Sequence, residues 1–93
     1  MSTQVVAGVD TPCGYQQITS LSAAQALTVP ANARWALIVP QTQAVRWRDD
    51  ADPSATVGIP LVPGQVLQYT GNLKSIKFIE QTASAALNIA YYG

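Results

Sequence analysis

From Tyr15 onward the chain is a succession of short segments rich in Val, Ile, Tyr, Trp and Thr. Proline and glycine interrupt them about every ten residues, the spacing of a small all-β domain. The pattern predicts strands near 15–21, 26–29, 34–39, 44–48, 65–70, 74–80 and 86–92. In 44–48, Val45 and Trp47 alternate with Arg46 and Arg48, which marks a strand with one buried and one wet face. Leu87, Ile89 and Tyr91 share one side of the last segment, and Asn88, Ala90 and Tyr92 the other. Trp35-Ala36-Leu37-Ile38-Val39 is apolar on both sides, as a strand inside a sheet would be.

Two local readings compete with this scheme. Ser20 to Leu27 holds good helix formers, enough for about two turns before Thr28-Val29-Pro30 ends them. Residues 49–64 form a long proline- and glycine-rich gap, in which Ala55-Thr56-Val57 has the make-up of a short edge strand. Thr28-Val29-Pro30-Ala31-Asn32-Ala33 echoes Leu61-Val62-Pro63-Gly64-Gln65-Val66, and each leads into a strand. Two similar strand–turn–strand units suit a two-sheet sandwich, although a proline-punctuated β chain produces such echoes by coincidence as well. The expectation is an all-β domain, a small β-sandwich or jelly-roll-like barrel of about seven antiparallel strands over 13–93. Residues 1–12 precede it as an extended N-terminal arm, in which Val5, Val6 and Val9 suit pairing with another chain's sheet edge.

Composition changes the picture in one direction. At 93 residues the chain is one modest domain, marginal without disulfides, metals or oligomerisation. Cys13 is the single cysteine and histidine is absent, so an internal disulfide is excluded and an ordinary zinc site is disfavoured. Charged residues are 11% of the chain, against roughly 25% for a usual soluble domain. Five cations balance five acids. Such a chain is expected to have much of its surface covered by partners, itself included. Its neutral balance speaks against nucleic acid, and no apolar run is long enough to span a membrane as a helix. The opening residues lack the pattern of a secretory signal, and the free thiol fits a reducing cytoplasm.

The candidate chemistry is concentrated at Arg46-Trp47-Arg48-Asp49-Asp50 with Asp52. Catalysis is not expected, and the catalytic, metal and cofactor assignments are none. There is no imidazole base, Cys13 has only an acid, Asp10, as its nearest charge, and the acids cluster on one turn away from Glu80. Calcium is the better-posed alternative for Asp49, Asp50 and Asp52, but the turn lacks the ligand spacing of an EF-hand and has two arginines beside it. With Trp47 turned inward, Arg46 and Arg48 are left to grip the Asp turn or acids on a neighbouring subunit, so Arg46, Arg48, Asp49, Asp50 and Asp52 are protein-interface candidates, with a solvated face as the alternative. Of the terminal aromatics, Tyr91 is expected to finish the core and Tyr92 to lie at an interface.

Val45-Arg46-Trp47-Arg48-Asp49-Asp50, then Pro53-Ser54-Ala55-Thr56-Val57-Gly58-Ile59-Pro60-Leu61, resembles a pattern found in small virion proteins of tailed bacteriophages. So do Tyr69-Thr70-Gly71-Asn72-Leu73-Lys74-Ser75-Ile76-Lys77-Phe78-Ile79 and Leu87-Asn88-Ile89-Ala90-Tyr91-Tyr92. The resemblance covers 26–93, rests on turns and core positions, and departs at Ala51, where a glycine would follow the paired acids. It implies a non-enzymatic capsid cement or decoration protein, made in the host cytoplasm and carried on the virion surface. In that reading it is a homotrimer bound to the major capsid protein. The alternatives are a phage tail or neck component, and a carbohydrate-binding β-domain displaying Trp35, Trp47 or Tyr92.

Overall fold

The computed structural model describes residues 11–93. Val5, Val6 and Val9, and with them most of the arm, lie outside the described residues. Eight strands follow in chain order: β1 (Pro12–Ile18), β2 (Gln25–Ala26), β3 (Trp35–Gln41), β4 (Val45–Arg48), β5 (Ile59–Leu61), β6 (Leu67–Tyr69), β7 (Lys77–Glu80) and β8 (Ala86–Tyr92). They form two four-stranded antiparallel sheets, one ordered β1-β8-β3-β6 and the other β2-β7-β4-β5. The architecture is the small all-β sandwich that the periodicity predicts.

Alternation builds the core. Ala36 and Ile38 of β3 and Leu87, Ile89 and Tyr91 of β8 point inward from the first sheet, all almost wholly buried. Val45, Leu61 and Phe78 answer them from the second, and Leu21, Leu73 and Ile76 close the ends from the connections. These side chains supply the main stabilisation, at about 25 cal/mol for each Å² of apolar surface removed from water. Trp47 packs against this cluster, its ring edge-on to Tyr69 at 6.0 Å between centroids.

Three segments differ from the sequence reading. The competing helix over 20–27 does not form, since residues 22–23 are a bend, and the strand expected at 26–29 shortens to Gln25–Ala26. It stops because the Thr28 N–H donates to Gln16 Oε1 at 3.0 Å instead of to a neighbouring strand. Residues 55–57 are a turn: Ser54 and Val57 exchange backbone hydrogen bonds, and the Ser54 hydroxyl accepts from the Thr56 and Val57 N–H groups. The edge strand forms two residues later, around Pro60, since a proline is tolerated on the border of a sheet. At the other end, Thr11 exchanges two backbone bonds with Gly93, at 2.8 and 2.9 Å, and β1 begins at the next residue.

Candidate functional site

Charge is distributed unevenly between the two sheets. On the outer face of the second sheet, Arg46 lies beside Ile79, and Arg48 lies directly opposite Lys77. Two cations facing each other across a ladder repel. The turn that follows β4 neutralises them. Asp50 takes a bidentate pair from Arg48, at 2.9 Å from Nε and 2.8 Å from Nη2, and Asp52 accepts from Lys77 Nζ at 2.8 Å. The hydrogen bond from Arg48 holds the Asp50 carboxyl below the usual carboxylate range, and the same bond raises Arg48.

The other two members of the predicted cluster are engaged differently. Asp49 accepts from the Tyr69 hydroxyl at 2.8 Å. Burial, reinforced by this bond and the charge of Asp49, pushes the Tyr69 phenol up to about 12. Gly71 makes room for the contact, since a Cβ there would sit 2.5 Å from the Tyr69 oxygen. Arg46 grips no acid. Its Nε donates to the Ala55 carbonyl at 3.1 Å and its Nη1 to the Gly58 carbonyl at 2.8 Å, so it pins the loop after the Asp turn. Gly58 suits this closure: its φ of +147° favours glycine, and a Cβ would meet Arg46 Cβ at 3.1 Å.

Asp49, Asp50, Asp52, Arg46 and Arg48 are therefore brought together on one side of the molecule, each bonded within the chain. A shallow open hollow of about 270 Å³ lies between Asp49, Asp50, Ala51, Lys74, Ser75 and Lys77. The three carboxylates of the turn are directed to three different partners, and no group of three metal-ligating side chains gathers among the described residues. Glu80 lies at the far end of β7, opposite Val45. Cys13 is half-buried, its thiol 3.5 Å from the Thr11 carbonyl.

The outer face of the first sheet is the opposite in character. Reading outward positions along the register gives Tyr15 and Gln17 on β1, Asn88, Ala90 and Tyr92 on β8, Trp35, Leu37, Val39 and Gln41 on β3, and Gln68 on β6. None is charged. Their polar groups are largely bonded to one another: Asn88 Oδ1 accepts from Gln17 Nε2 at 3.1 Å and from the Tyr15 hydroxyl, and Asn88 Nδ2 donates to Gln41 Oε1 at 2.9 Å. Tyr92 stacks on Trp35 with ring centroids 4.5 Å apart. Tyr91, on the inner side, is buried and donates to Gln16 Oε1 at 2.7 Å; burial pushes its phenol up to about 12.

No protein-family model, curated protein or solved structure matches the chain. Tyr92, an interface candidate from the sequence, lies on this face against Trp35, but the amide pairs beside it were not legible. Asn88 and Gln41, 47 residues apart, carry no spacing signal, and only the strand register brings them side by side.

Proposed function

We propose that the protein is a non-enzymatic adhesive subunit of a tailed-phage virion, of the capsid cement or decoration type, which binds the shell in many copies. The observation that carries this reading is the uncharged outer face of β1, β8 and β3. A surface whose amides already bond one another loses little when water is removed from it, so apolar contact there is gained without stranded polar groups. The clustered charges of the opposite sheet, paired within the chain, keep that side wet. The phage pattern at 26–93 supplies the identity of the partner, the major capsid protein. Many weak contacts repeated over a shell add up through effective concentration.

A protein partner accounts for the aromatics better than a glycan does. Trp35 is 6% exposed beneath Tyr92, and Trp47 is half-buried against the core, so neither offers a broad platform to a sugar ring. The test uses virions of the encoding phage stripped of the chain and then refilled with purified protein. Wild type should co-sediment in many copies per particle. Ala90→Glu, which puts a charge in the middle of the uncharged face, should lower occupancy by about tenfold or more while the circular dichroism stays unchanged. Binding at only a few copies would point instead to a tail or neck position, and no binding at all would overturn the reading.

A further inference from the structure

Four strands border the two sheets, and three of them offer little to an incoming strand. β2 has two residues, β6 has three, and β5 carries Pro60 at its centre, with no N–H to give. β1 is seven residues long and bears no charged side chain. Its free side can be read from the ladder. Thr11 and Gly93 exchange both their bonds, and the register then runs Gly14↔Tyr91, Tyr15↔Ala90, Gln16↔Ile89, Gln17↔Asn88. Antiparallel rungs alternate, so Gly14, Gln16 and Ile18 bond toward β8, and the N–H and C=O groups of Tyr15 and Gln17 point away from it. No described residue bonds to these outward groups. Tyr15 is 66% exposed at this border.

We propose that a second copy of this chain pairs along β1, antiparallel about a two-fold axis at Gln16, and joins two four-stranded sheets into one continuous sheet. The edge is its own complement. With the axis at Gln16, Tyr15 of each copy falls opposite Gln17 of the other, giving two hydrogen-bonded rungs of two bonds each. No charge is brought against another, and the pairing continues the uncharged outer face from one copy to the next. A strand of seven residues is about 23 Å long, and the sandwich is 19 Å across its thinnest direction. The contact is therefore about 400 Å² on each partner, about half of a standard specific interface, so the dimer is weak and dissociates on dilution. The pair is two-fold, not the trimer that the phage resemblance implies, and it stands independently of the capsid reading.

The test is sedimentation velocity of the full chain over a wide concentration range, with amide hydrogen exchange on the same samples. The expected result is a shift on concentration from one chain mass of 9.8 kDa to twice that value. Exchange at the Tyr15 and Gln17 amides should slow about tenfold across the same range. Gln17→Pro deletes an outward N–H and no backbone bond to β8, although the side-chain bond to Asn88 goes with it, and it should abolish the dimer. Tyr15→Lys, which leaves the backbone intact but places a lysine on the border, should raise the dissociation constant at least about tenfold, and it decides the matter if the proline variant fails to fold. Val57→Lys, at a residue 53% exposed on the loop before β5, should dimerise as wild type does. A chain that stays monomeric throughout, a trimer, or a dimer indifferent to Tyr15→Lys would each overturn the proposal.

Discussion

Two tyrosines show how single side chains couple this sandwich to pH. Tyr69 and Tyr91 both sit in the core cluster, each with its hydroxyl donated to a fixed acceptor, Asp49 and Gln16 respectively. Their phenols are pushed up to about 12, chiefly by burial. A folded-state value above the ordinary one means that the neutral form is favoured in the fold. That contribution is complete below pH 10, the ordinary value, and disappears as pH rises toward 12. The chain should therefore lose stability progressively between those limits. For Tyr69 the bond to Asp49 adds to the effect, since a phenolate there would face a carboxylate. Tyr69→Phe is expected to cost about 1 kcal/mol at neutral pH through the lost hydrogen bond, yet to move the alkaline unfolding midpoint upward. Urea denaturation at a series of pH values checks both signs. An unchanged or lower alkaline midpoint would show that another group drives the transition.

At the scale of elements, the joint between β4 and the loop that follows it is the most informative. The alternation Val45, Arg46, Trp47, Arg48 was legible because one face is apolar and the other cationic. What the arginines hold was not. Arg48 finds Asp50 two residues away, a spacing that sequence inspection suggests, whereas Arg46 bonds to carbonyls of Ala55 and Gly58, and a backbone acceptor leaves no signature in residue type. The edge strand was misplaced at 55–57 for a related reason. β-propensity is high there, but the Ser54 hydroxyl captures two N–H groups and closes a turn, so pairing passes to Ile59-Pro60-Leu61. Arg46 is thus the clasp between β4 and this loop. Arg46→Ala should cost about 2 kcal/mol, the scale of losing hydrogen bonds to a charged donor. Hydrogen exchange should quicken first at Val57, whose turn would no longer be held to β4. A lysine at 46 lacks the planar fork and should rescue little of this. Full rescue by lysine would mean that charge, not the two directed bonds, closes the loop.

For the whole molecule, the decisive pairing is between the first and last of the described strands. β8 (86–92) lies between β1 (12–18) and β3 (35–41), so the last strand to emerge from the chain completes the centre of the first sheet. The inward alternation of Leu87, Ile89 and Tyr91 announced a half-buried strand, but nothing local in the sequence says that β1 is its neighbour. That information is carried by the register, and by a bulge near Pro12 and Gly14 that lets Thr11 meet Gly93. A fold that must close nearly its full length before its core is sealed gives up loop entropy early and recovers contact energy late. Folding should accordingly fall in the millisecond-to-second range typical of β-sandwiches rather than the microseconds of helical bundles. Trp35, buried on β3 beside Tyr92 of β8, and Trp47, packed on the second sheet against Tyr69 of β6, report on different joints. Stopped-flow refolding followed by fluorescence of each tryptophan separately, with the other replaced by phenylalanine, should give one shared rate. Leu87→Ala should cost about 3 kcal/mol by opening a cavity between the sheets. If closure of the ends limits folding, most of that loss will appear as slower folding. A loss appearing almost entirely in the unfolding rate would place the joining of β1, β8 and β3 after the barrier, and this account of the folding order would fail.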